Sequence, residues 1–106
     1  MIPLLFTSNQ PFSGKSLFCA GTGSILRDMG LKVGYMKPMS TLSVKAGDTI
    51  TDEDAHYISK IFGMKNDLAD ISPVILSEYS YRNFLEDNKF SSNFLEKISK
   101  AFNNIK

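Results

Sequence analysis

Apolar residues gather at the start of the chain: Ile2 to Thr7 is a run of strand length that passes into the small, polar turn residues Ser8-Asn9-Gln10-Pro11. The period then changes. From Lys15 to Met29, Leu17, Phe18, Gly21, Ile25, Leu26 and Met29 recur every three or four positions, which predicts an amphipathic helix with Gly30 as its C′ stop. Leu31 to Met36 is a second apolar run and predicts a second strand after a very short turn. Strand, helix and strand in this order predict a βαβ unit with parallel pairing and a right-handed crossover.

Lys37 to Ile50 is rich in Pro, Ser, Thr and Gly and holds no sustained period, so it reads as a functional loop at the carboxyl edge of the sheet. A second helix is expected from about Thr51-Asp52-Glu53-Asp54, with Ala55, Ile58, Ile61 and Phe62 on one face and Gly63 as its stop. Ser72 to Leu76 is a short apolar stretch open to a strand or an extended approach, and Pro73 argues against a central strand. From Ser91 to Lys106 an apolar side of Phe94, Leu95, Ile98, Ala101, Phe102 and Ile105 faces a polar side of Glu96, Lys97, Lys100 and Asn103, a helix suited to covering a sheet. No repeat or linker breaks the chain, so residues 1–106 read as a single domain.

The chemistry suggested by this order lies in the first turn. An apolar strand running through Phe12-Ser13-Gly14-Lys15-Ser16 into a helix brings backbone N–H groups, a helix N-terminus and an ammonium to one point, the arrangement that receives a nucleotide phosphate. Ser16 would give a hydroxyl to the Mg²⁺ that accompanies it. The strict pattern G-x-x-x-x-G-K-[ST] places glycine where Asn9 stands, and a variant one residue longer places it at Ser8. Asparagine tolerates a left-handed backbone, so the turn remains open to it. The competing reading is a loop that caps a core helix.

Charge narrows the classes further. Twelve basic against eleven acidic residues give a net charge of +1 over 106 residues, with the lysines scattered, so nothing supports a nucleic-acid footprint. No apolar stretch reaches membrane-spanning length and Met1-Ile2-Pro3 lacks a basic leader, which leads to the expectation of a cytoplasmic protein. Cys19 is the single cysteine and reads as a small buried apolar residue, not a nucleophile. His56 has no partner at metal-site or triad spacing and reads as surface or interface, while Met29, Met36, Met39 and Met64 read as core gap-fillers.

Three motifs in order, Ser13-Gly14-Lys15-Ser16, Val33-Gly34-Tyr35-Met36-Lys37-Pro38 and Asp52-Glu53-Asp54-Ala55, resemble the dethiobiotin-synthetase-like branch of P-loop proteins. That branch includes dethiobiotin synthetase, cobyrinic acid a,c-diamide synthase and the amino-terminal domain of long phosphate acetyltransferases. The wording from Thr7 to Ser16 is most similar to the last. The resemblance reaches from the first strand to about Leu85, and the helix after it also fits. It implies an α/β fold of the P-loop, Rossmann-like kind, a three-layer sandwich about a parallel sheet, truncated here before the acidic strand that follows in the family.

By the same resemblance ATP and Mg²⁺ are the implied cofactors. Phe12, Ser13, Gly14, Lys15 and Ser16 would hold the nucleotide, Ser16 and Asp54 the Mg²⁺, and Lys37 would serve catalysis beside a carboxylate or carbamate being activated. Bringing such an acid to a γ-phosphate joins two anions, and lysines at 15 and 37 would screen their repulsion. Asp54 also fits a capping box begun by Thr51, and Lys37 fits an ordinary solvated lysine. Three functions stay open: a nucleotide-binding module, regulatory or incomplete; an ATP-dependent carboxylate-activating ligase; and an assembly domain without ligand. A short parallel sheet leaves an edge uncovered, so a dimer or a partner chain completing the sheet is expected.

Overall fold

The structure, a computed structural model, describes residues 1–10, 13–76, 82 and 88–106. The chain divides into two compact units, Met1–Val33 and Gly34–Lys106.

The first unit is built on helix α1, Lys15–Asp28. It starts at Gly14, whose φ of 84° lies in the left-handed region, and its first hydrogen bond runs from the Phe18 N–H to the Gly14 carbonyl at 2.9 Å. Gly30 ends it as expected. With φ at 86°, Gly30 donates to the Arg27 carbonyl at 2.9 Å and Leu31 donates to the Leu26 carbonyl at 3.0 Å, the paired bonds of a Schellman stop. The predicted apolar face is not a core: Leu17, Phe18, Ile25 and Met29 are exposed. Among the described residues neither Ile2 to Thr7 nor Leu31 to Met36 joins a ladder, so the expected βαβ unit is not formed there. Within this unit the Phe6 and Phe18 rings meet edge to face, 5.6 Å between centroids.

The second unit holds the strands. β1 (Met39–Ser40) pairs in parallel with β4 (Val74–Ile75), with Met39 opposite Val74. Two backbone bonds extend this pairing, from the Lys37 N–H to the Ile71 carbonyl at 2.8 Å and from the Leu76 N–H to the Ser40 carbonyl at 2.7 Å. β2 (Ser43–Ala46) and β3 (Thr49–Asp52) form an antiparallel hairpin with Ala46 opposite Thr49. The stretch expected to be a loop is thus largely strand. Its two-residue turn is Gly47-Asp48, and Gly47 carries the positive φ, 62°, that such turns demand.

Helix α2 (Glu53–Ile61) leaves β3 without a connecting loop. Gly63 stops it with the same bond pair as α1, Gly63 N–H to the Lys60 carbonyl and Met64 N–H to the Ser59 carbonyl. The short helix α3 (Leu68–Ile71) leads into β4, and α4 (Asn88–Ile105) packs on α3 and β4. Ala55, Ile58 and Phe62 of the α2 face are buried with Ile71, Val74, Leu76 and Ala101, and they form the core of this unit. The Tyr35 ring meets Phe62 edge to face at 6.5 Å. The chain is a mixed α/β fold with a parallel strand pair and helices, in keeping with the P-loop-like class expected from the sequence.

Candidate functional site

In the first unit, Gly14, Lys15 and Ser16 stand in sequence at the start of α1, with Lys15 as its first residue and exposed. Gly14 brings no side chain to cap the helix, and no acid stands in the first turn. The first turn of α1 thus sets no negative charge of its own at the positive helix end, which suits an incoming anion. Ser13 precedes it and is exposed, and Phe12 lies outside the described residues. Upstream, the Ser8 hydroxyl donates to the Gln10 carbonyl at 3.0 Å and tightens the turn. Burial raises the Cys19 thiol above its ordinary value, the Lys15 ammonium opposing it, so Cys19 is an unactivated thiol. A groove of about 340 Å³ along α1, lined by Leu17, Phe18 and Ile25 among others, lacks the convergent polar groups of a ligand site.

In the second unit, Lys37 and Asp54 come together. The Lys37 ammonium lies 3.5 Å from Asp54 Oδ2 and 2.9 Å from Asp52 Oδ2. Its backbone is pinned to the end of α3 through the Ile71 carbonyl, and its side chain reaches the junction of β3 and α2. Lys37 is thus an ion-paired lysine at the approach to β1, not a solvated one, with 27 % of its side chain exposed.

Asp52, which the sequence offers only as an acid favoured by the dipole of α2, was not among the expected site residues. Its residue exposure is 1 %, and both oxygens of the carboxylate are engaged. Oδ1 accepts the Ala55 N–H at 2.9 Å and caps α2, while Oδ2 accepts Lys37 and the Ser40 hydroxyl. Ser40 in turn accepts the Leu42 N–H at 3.1 Å. Burial pushes the Asp52 carboxyl upward, but the Lys37, Ser40 and Ala55 donors outweigh it and leave the group below the ordinary carboxylate range. The N-cap of α2 is Asp52, one residue later than the Thr51 start expected for a capping box.

That shift bears on Asp54. With Asp52 as cap, the capping-box partner position belongs to Ala55, so Asp54 sits in the first turn without the reciprocal role. Its side chain is 46 % exposed and adjoins a concavity of about 370 Å³ lined by Glu53, His56, Tyr57 and Lys60. His56 is half-buried, and its Nδ1 has no hydrogen-bond partner among the described residues.

Curated proteins that the chain matches include two synthetases. Over 103 residues it is 29 % identical to an ATP-dependent dethiobiotin synthetase of Methanococcus vannielii, which covers 97 % of this chain and 45 % of that protein. The chain is similar to the dethiobiotin synthetases. Over 65 residues it is 28 % identical to the enzyme of the same name from Caldicellulosiruptor saccharolyticus, 61 % of this chain and 27 % of the relative. The chain therefore spans less than half the length of each of these synthetases. No protein-family model matches it, and no solved structure matches it. Among the described residues no helix is long and apolar enough to cross a membrane.

Proposed function

We propose that the chain is an ATP- and Mg²⁺-binding P-loop module of the dethiobiotin-synthetase-like type. The observation that carries this reading is the pairing of Lys37 with Asp54, because it joins two of the three motifs at the side-chain level. In the proposed site the α1 start, Ser13, Gly14, Lys15 and Ser16, receives the phosphates. Within the first unit Ser16 would offer its hydroxyl to the Mg²⁺ of the nucleotide; within the second, Asp54 would serve as a metal ligand and Lys37 would face the acid.

The donor set supports a metal carried by the nucleotide. Among the described residues no group of three His, Cys, Asp or Glu could hold an ion. Mg²⁺ commonly takes one or two carboxylates together with substrate phosphates and water, and the half-exposed Asp54 fits the carboxylate part of that demand. When bound, the ion neutralises charge on the transferring phosphoryl group. Lys37 would hold an anionic acceptor against the repulsion of the phosphates.

A second reading is favoured by Lys37 itself. A lysine paired with Asp52 and with Asp54, the acid proposed for the metal, suits an ATP-dependent ligase that activates a small carboxylate or carbamate. Phosphate release that depends on an added dicarboxylate or diamino acid and disappears in Lys37→Ala favours the ligase. Binding without release favours the module.

The deciding experiment is calorimetric titration of the chain with MgATP and MgADP, beside Lys15→Ala and Asp54→Ala at the same ionic strength. Saturable binding is expected, abolished by Lys15→Ala and weakened by Asp54→Ala only with Mg²⁺ present. A folded chain that gives no heat with either nucleotide would overturn the proposal in favour of an assembly domain.

A further inference from the structure

We propose that Asp52 is the positioning residue of Lys37, fixing the ammonium before any ligand arrives; this rests on the reading of Lys37 as the lysine that faces the acid. A lysine side chain is a compact charge on a flexible four-carbon stem, and ordering it on binding opposes affinity. In this chain the ordering is built in. The Lys37 backbone is held by the Ile71 carbonyl at 2.8 Å, and its ammonium by Asp52 at 2.9 Å.

Asp52 can do this because it is itself immobile. It is buried, its second oxygen is locked to the Ala55 N–H in the first turn of α2, and the Ser40 hydroxyl of β1 approaches Oδ2 from the other side. The position of the ammonium is therefore referred to three elements, β1, β3 and α2. Asp54 has a different part. Its contact is longer, 3.5 Å, and its carboxylate is half-exposed, so it is the partner that yields when an anion or a metal enters. An ammonium has three N–H donors, and one held by Asp52 leaves others for a ligand.

A purely structural role for Asp52, capping α2, is compatible with the same contacts but predicts a different response to substitution. Asparagine caps a helix about as well as aspartate, so Asp52→Asn retains an oxygen for Ala55 and removes the charge that holds Lys37. The test is NMR of the chain labelled with ¹⁵N-lysine, where an ammonium is visible only if its protons exchange slowly, with Lys37→Arg assigning the signal. We expect a Lys37 ammonium signal in the wild type, retained in Asp54→Asn. In Asp52→Asn its proton exchange should be at least about tenfold faster, while the Ala55 amide stays protected.

Persistence of the signal in Asp52→Asn, its loss in Asp54→Asn, or its absence from the wild type each overturns the assignment. If Asp52→Asn does not fold, the half-exposed Asp54→Asn variant decides by itself. The signal is read without nucleotide, so a chain that fails to bind MgATP defeats the proposed function and leaves this assignment to its own result.

Discussion

Lys37 Nζ and Asp52 Oδ2 stand 2.9 Å apart across the start of β1 and the end of β3, and the same carboxylate caps α2. Asp52→Ala removes both contacts at once. A lost N-cap and a broken, largely buried pair should together lower unfolding free energy by about 2 to 4 kcal/mol, the partial exposure of Lys37 holding it below the cost of a fully buried pair. Urea denaturation of the two proteins checks this; a loss under about 0.5 kcal/mol, the range of ordinary surface substitutions, would contradict it.

The Asp52 carboxyl lies below its ordinary range in the folded chain, so folding binds fewer protons there than unfolding. Its stabilisation is complete above the unfolded value of about 4 and drains as pH falls through the lower folded value. The gap in stability between wild type and Asp52→Asn should therefore be widest near neutrality and close in acid. Denaturation curves at several pH values measure it, and a gap that widens toward low pH would refute the assignment.

A Cβ placed on Gly34 would sit 3.1 Å from Ile105 Cγ2, near the end of α4. That is tight, but it meets the tip of a side chain in the last turn, which can give by a few tenths of an ångström. Gly34→Ala should change the melting temperature little. Gly34→Val, with two more methyl groups, should destabilise by about 1 to 3 kcal/mol through overpacking. Equal melts for both variants would show that α4 does not rest against Gly34.

Asn104 of α4 donates to both carboxylate oxygens of Asp70 in α3, at 3.1 and 3.2 Å, and its carbonyl accepts from Asn66 at 3.4 Å. These groups are exposed, so Asn104→Ala should cost only about 0.5 to 1.5 kcal/mol. Its effect should be local. Amide exchange should quicken in the last turns of α4 and leave α2 unchanged; a uniform change across the unit would argue against a local tie.

Helices α1, α2 and α4 were legible in the sequence because their signals are local, whereas the four-residue α3 was not expected. Gly30 and Gly63 end α1 and α2 at the places expected, each supplying the left-handed backbone that the stop requires. Strands were not. Ile2 to Thr7 and Leu31 to Met36 have the apolar character of strands, yet a strand exists only when another segment meets its backbone bonds, and that partner cannot be read from the segment itself. The hairpin was readable and overlooked. Gly47-Asp48 is a two-residue turn between Val44-Lys45-Ala46 and Thr49-Ile50-Thr51, a pattern hidden by the abundance of Ser, Thr and Gly around it. At the site, Lys37 and Asp54 were singled out from resemblance, whereas Asp52 was missed because a capping residue and an ion-pair partner look alike in sequence.

The parallel pairing of β1 with β4 carries an implication for how the second unit assembles. Ser40 and Ile75 pair across the hairpin, α2 and α3, so the whole of that intervening chain must be drawn in to close the pair. The hairpin, closed by two residues, has no such entropy to overcome. Mutations in β2 and β3 should accordingly slow folding, while those in β4 should chiefly hasten unfolding, making the Lys37 segment the last part to be built and the first to let go.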